Sequence, residues 1–399
     1  MKCHGVKSKG LGLAVCCPAM VMAMEPLSDK ELSDVQGQAD MISIDRIDSP
    51  GADDIHFQRV TLGLDTELQT NIERFELGID PGSGEGKSSD TLIENLSLGF
   101  IQDSGFFERN PDAPRMLRDD GTPFADGEIV PFKLQDPFIE IAHKDGSGDP
   151  VGVRFGFRNA EGIMSGSIRR LTGNINVDIR DEGDGLRNAN SQGNGFDRLL
   201  TALTPVLAGS SPVEAPAQLV HGPGSPNVGE IRERRAEYIG VPNGRKFLLE
   251  DVNGAVAGIT NLFSGTLSSQ LEVSNCSGFG PFGSCDVTIT AQGCEVIGIQ
   301  ACFDLDQFGS IPVGEQEEVD GQRTITGPAS GLFISAQNET VEWIENIRAS
   351  NPTREDLVEA GRGTFFNVPN ESITLNLREA LTGTERMRTE FIDRGQGLF

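Results

Sequence analysis

Four cysteines, Cys276, Cys285, Cys294 and Cys302, carry the plainest chemistry in the chain. Eight, eight and seven residues separate them. Zinc ligands usually come as tight pairs about two to four residues apart, so this spacing favours disulfides over metal. Three connectivities are open. Pairing of sequence neighbours, Cys276 with Cys285 and Cys294 with Cys302, closes two short loops and is the expected one.

Other constellations imitate chemistry without completing it. "DPGSGEGKSSD" (80–90) resembles a phosphate loop, but Pro81 stands where the first glycine belongs, and "DTLIENLSLGF" after it reads as strand instead of helix. An exposed turn is expected there. His56, His143 and His221 lie far apart in the sequence, with no H-E-x-x-H, and no G-x-S-x-G occurs. No catalytic residue, and no cofactor, is therefore assigned. Acidic loops at 45–54, 143–150 and 180–185 offer oxygen ligands near glycines but lack the closing Glu of a hand-type loop. Calcium is the one ion they would suit. Carboxylates are so many that a pair at glycosidase separation carries no signal. A single Trp343 and a single Tyr238 leave few rings for stacking on sugars.

The elements that must position these residues read mainly as strands. "DIHFQRVTLGL" alternates at Ile55 and Phe57 and, after a slip, at Val60, Leu62 and Leu64. In "PFIEIAH", Phe138, Glu140 and Ala142 share one face, and Ile139, Ile141 and His143 the other. In "VGVRFGF", Val151, Val153, Phe155 and Phe157 oppose Gly152, Arg154 and Gly156. Two glycines opposite four apolar residues imply a close backbone neighbour or a solvent face.

A repeat runs through the first half. "FQRVTLG" (57–63), "IERFELG" (72–78) and "IENLSLG" (93–99) share an apolar start, a second apolar residue, then Leu-Gly. Each reads as a strand closed by a bend at glycine. The fold class predicted is mainly β, a β-solenoid or an elongated β-sheet, with a β-sandwich as the alternative that the irregular offsets keep open. Short helices are expected after the leader, at Phe196–Leu203 in a central insertion, and near the C-terminus in "NETVEWIENIRAS" and "TREDLVEAG". The predicted organisation is 1–23 leader, 24–40 capped helix, 41–180 first β region, 181–244 Gly/Pro-rich insertion or linker, 245–335 second β region with the four cysteines, and 336–399 mixed α/β.

The charge narrows the partners. The chain holds 33 Lys+Arg against 60 Asp+Glu, net −27. Such a surface repels nucleic-acid phosphates and anionic lipid heads. Residues 1–23 read as a secretory signal: Lys2, Lys7 and Lys9, then "LGLAVCCPAMVMA", with cleavage after Ala23. Val15 before Cys16 does not suit lipidation. The apolar run is shorter than the roughly 20 residues a membrane span needs. Export, to the periplasm, outer surface or medium, agrees with the even cysteine count.

Behind the signal stands "PLSDKELSDVQGQ" (26–38). Ser28 and Glu31 form a capping box for a short helix ended by Gly37. The stretch resembles double-glycine bacteriocin leaders but carries Gln38 in place of the second glycine. It more closely resembles exported FilA-type proteins of Gram-negative bacteria, at Pro26, Leu27, Asp29, Glu31, Leu32, Ser33, Val35, Gly37 and Gln38. "DPFIEIAH", "VGVRFGF", "LTGNINVDI" and "RTEFIDRGQGLF" also look like that group. The resemblance implies a pilus-system or cell-surface protein, with other protein chains as partners or with self-assembly. It brings no catalytic residues. An extracellular polysaccharide-active enzyme on a β-solenoid and a soluble envelope ligand-binder are the alternatives.

Overall fold

Strict alternation of side chains between two faces builds this molecule. The structure is a computed structural model and describes residues 42–51, 55–78, 89–146, 148–181, 213–253, 270–277, 284–296, 299–349 and 351–390. All of them belong to one unit, Met41–Phe399. The leader, the Pro26–Gln38 segment, the helix expected at Phe196–Leu203 and the end of the chain lie outside the described residues.

The fold is mainly β. The first strands are β1 (Ile42–Asp48), β2 (Ile55–Leu62), β3 (Thr70–Leu77) and β4 (Thr91–Leu98). A helical turn and a half, α1 (Ser104–Arg109), precedes the long strands β5 (Phe132–Lys144) and β6 (Pro150–Arg170). Then come β7 (Gly173–Asp181), β8 (Val213–Val220), β9 (Tyr238–Gly240), β10 (Cys302–Asp304) and β11 (Phe333–Gln337). A separate hairpin, β12 (Val341–Ile344) and β13 (Leu357–Ala360), leads to β14 (Gly363–Val368), and α2 (Leu377–Thr382) follows.

The largest sheet among the described residues has 15 strands and follows the open path β1-β2-β5-β6-β11-β14-β7-β8-β9-β10. Every pair along it is antiparallel except β14–β7. β6 is the spine. Its first half pairs β5 and β11, and its last residues pair β4 across a register shift between Ser165 and Ser167. β6 thereby carries the chain into a second layer, where β4 also pairs β3. One core, including Ile93, Leu134, Ile168, Val177 and Leu219, lies between these layers. A second gathers Phe57, Ala142, Phe333 and Phe365 around Trp343.

The repeat ends strands as read from the sequence: β2, β3 and β4 stop one residue before Gly63, Gly78 and Gly99. Gly78 and Gly99 take left-handed φ values of 72° and 76°, a conformation that costs glycine little. The repeats form an elongated sheet, with β3 and β4 antiparallel neighbours, and not the parallel coils of a solenoid.

Three local readings are corrected. β2 has no slip: its pairing with β5 runs unbroken, because Arg59 continues the inward phase of Ile55 and Phe57 while Val60 and Leu62 face out. The two short helices read near the C-terminus are the antiparallel strands β12 and β13, with one 3-10 turn at Arg354–Asp356 between them. Val341 and Trp343, both fully buried, alternate in period two. Helix α2, Leu377–Thr382, lies further on. The segment 181–244 is no mere linker, since β8 and β9 inside it are strands of the main sheet.

Candidate functional site

The β2-β5-β6-β11 sheet has one buried and one outward face. The face carrying charge and glycine is the buried one. Arg59, Glu140, Arg154 and Ser335 stand directly opposite one another on neighbouring strands. Glu140, with no exposure, takes Arg59 Nε at 2.5 Å and Arg154 Nη2 at 2.7 Å. Arg154 also donates to the carbonyl of Ile344 at 2.6 Å. Its guanidinium lies 4.7–5.3 Å from the ring centres of Phe333, Trp343 and Phe138. Burial lowers its pKa to about 10, against the pull of Glu140, so it stays charged at neutral pH. Gly152 and Gly156 make the room: a Cβ there would come within 2.9 Å of Trp343 and 2.6 Å of the Phe138 ring.

The apolar face looks outward. Ile44, Val60, Ile139, Phe155, Ile334 and Phe366 form one cross-strand row over six strands. Exposure is 76% at Ile44, 38% at Val60, 51% at Ile139 and 45% at Phe155. Only the far end is covered, where Phe75 of β3 packs edge-on against Phe366 at 6.2 Å. The near end is β1, which pairs β2 alone among the described residues.

Where the outer face meets β3 there is an open groove of about 850 Å³. The adjacent row, Ile141, Val153, Ala336 and Thr364, is its floor, and Gly78, Asp90, Arg234, Arg235 and Arg362 form its wall. Asp90 organises that wall. Its carboxylate, 3% exposed, accepts from Arg235 Nε at 3.1 Å, Arg234 Nη2 at 3.5 Å and the backbone N–H of Thr364 at 3.1 Å. A Cβ on Gly78 or Gly363 would fall 2.3 or 2.5 Å from the Asp90 carboxylate, and both residues have positive φ. Thr172 Oγ1 donates to the Asp90 carbonyl at 2.8 Å and accepts from the Arg235 backbone N–H at 2.9 Å. Arg235 itself is held at φ 51°, uncommon for a residue with a side chain. Arg362 is exposed and has no hydrogen-bond or ion-pair partner among the described residues. Three arginines and one carboxylate thus line this wall in a chain of net charge −27.

Sequence reading missed this site, because its residues come from β5, β6, β11, β14, the two ends of the β3–β4 connection and the loop before β9. The one available signal was the pair Arg234-Arg235 in so acidic a chain. The phosphate-loop imitation lies outside the described residues except for Ser89 and Asp90. The histidines are not all apart: His56 and His143 face each other across β2 and β5, rings stacked at 5.4 Å, with His56 Nδ1 2.7 Å from Asp145. The cysteines bond as sequence neighbours, Cys276–Cys285 and Cys294–Cys302. The first bond ties two strands of a small three-stranded sheet, Leu271–Ser277 and Ser284–Thr290, and the second ties a turn to β10. Among the described residues, no three His, Cys, Asp or Glu side chains are placed to hold a metal ion. No helix among them is long and apolar enough to cross a membrane.

Fold and site together define a disulfide-bonded, mainly β chain with a partly uncovered sheet face. No family model, curated protein or solved structure matches it.

Proposed function

We propose that the protein is an exported structural or interaction protein of the cell surface, pilus- or filament-associated, which docks a further copy of itself along β1. The observation that carries this reading is the outward apolar row ending at β1, whose outer edge pairs no strand among the described residues. Open edges accept a further strand. A copy paired antiparallel about Ile44 sets Ile44 opposite its own equivalent and Ser43 opposite Asp45, a self-complementary arrangement. The apolar row then continues into the second sheet. The disulfides suit an oxidising compartment, and the FilA-like segment at 26–38 agrees with a surface role.

The test is purification of the mature chain, followed by sedimentation and electron microscopy with and without salt and calcium, alongside Ile44→Lys. Charge on an edge strand opposes pairing, so the wild type forms dimers or polymers and the variant stays monomeric with an unchanged circular dichroism spectrum. A wild-type chain that is strictly monomeric and absent from the cell surface overturns the reading.

A further inference from the structure

We infer that the arginine-walled groove is a second docking site, for an extended acidic peptide segment of a partner protein. This rests on reading the outer sheet face as protein-facing, but it uses other residues than the β1 edge. The charge is the first argument. In a chain with 60 acids and 33 bases, Arg234, Arg235 and Arg362 gather at one end of an apolar floor. Asp90 neutralises one of them and has little exposed surface left for a ligand. Arg362 is unpaired among the described residues, and Arg234 is 61% exposed, with only a 3.5 Å contact to Asp90.

The second argument is preorganisation. Asp90 takes Arg235 through Nε, which leaves the terminal nitrogens of Arg235 for the groove. Guanidinium groups held this way match carboxylates in geometry as well as charge. The ordering cost is met by the fold, through Thr172 and the close-fitting Gly78 and Gly363.

The third argument is shape. The floor crosses four strands, about 14 Å between Ile141 and Thr364. About four or five extended residues span that distance. Such a segment can set carboxylates against Arg234 and Arg362 and lay alternate apolar side chains on Val153 and Ile141. An open groove suits a peptide better than a lipid tail, which would keep one side in water. The apolar floor at Ile141 and Val153 suits alternating apolar side chains better than a nucleic-acid backbone, which is charged along its whole length.

The test uses the full mature chain and a fluorescein-labelled peptide of alternating glutamate and valine, read by fluorescence anisotropy. An alternating lysine–valine peptide and oleate are the comparison ligands. The acidic peptide is expected to bind, and binding to weaken with added salt. The Arg234→Glu/Arg362→Glu double variant should raise Kd about tenfold or more, and Arg362→Gln should raise it less. Both changes are on exposed side chains, and thermal unfolding checks the fold. Ile44→Lys should leave binding unchanged. Equal binding of both peptides, an unaltered Kd in the double variant, or binding of oleate alone overturns the proposal. Acidic-peptide binding lost only in Ile44→Lys also overturns it, while leaving the β1 reading in place.

Discussion

Arg154 shows how a single charged side chain can hold a core together. It sits with no side-chain exposure, paired to Glu140, which is itself paired to Arg59. Removing one member of a buried pair strands its partner in a medium that solvates it poorly, which typically costs about 3–5 kcal/mol. Arg154→Ala should therefore lower the stability measured by urea unfolding by that amount, and the Phe333–Trp343–Phe138 surround adds a packing loss. A buried triad can also be exchanged whole for apolar residues at little cost. Arg59→Leu/Glu140→Leu/Arg154→Met should accordingly recover most of what Arg154→Ala loses. A single variant as stable as the wild type would refute the role given to Arg154. The sequence left this residue open: the glycines on its face in "VGVRFGF" imply a close backbone neighbour or a solvent face. The placement of Trp343 and Phe138 over those glycines makes that face the buried one. The cysteines were legible for the opposite reason, since pairing neighbours needs no knowledge of the fold.

Elements were legible where their pattern was local. The Gly-ended repeats show in the sequence because a strand and its closing bend occupy seven consecutive residues. β12 and β13 were misread because short, mixed-polarity stretches such as "VEWI" fit either period. The Asn-Leu-Arg-Glu run that starts α2 carries a capping signature that could have found it. Asn376 accepts from the Glu379 N–H at 2.7 Å, and Glu379 accepts in return from the Asn376 N–H at 2.8 Å and from Arg323 Nη1 at 2.6 Å. Burial nevertheless dominates, and the Glu379 pKa is raised above its ordinary 4.5 despite Arg323. Above that pH the unfolded chain has released a proton that the folded chain still holds. Stability from this group therefore falls as pH rises from 4.5 toward the folded value. In urea unfolding, the stability of the wild type relative to Glu379→Gln should decline over that interval. Parallel pH profiles for the two proteins would contradict the assignment.

At the scale of the whole molecule, the order of strands in the sheet is the part a sequence reading cannot supply. β6 meets β11 only after a long stretch of chain, and β14 meets β7 in parallel. Those non-local pairings place Arg234, Arg362 and Asp90 together, and β11 and β14 extend the row from Phe155 to Ile334 and Phe366. The composition, by contrast, was plain from the start, and it makes the two surfaces respond oppositely to salt. Copies of a chain of net charge −27 repel one another as they approach along β1. The screening length shrinks from about 10 Å at 0.1 M salt to about 3 Å at 1 M. Added salt removes that repulsion while leaving the apolar contact intact. In the groove, attraction between arginine and carboxylate is what salt screens. Sedimentation should therefore show assembly growing as sodium chloride rises from about 0.1 to 1 M, while acidic-peptide affinity falls over the same range. Assembly that dissociates with salt would mean that ion pairs, and not the Ile44 row, hold the copies together.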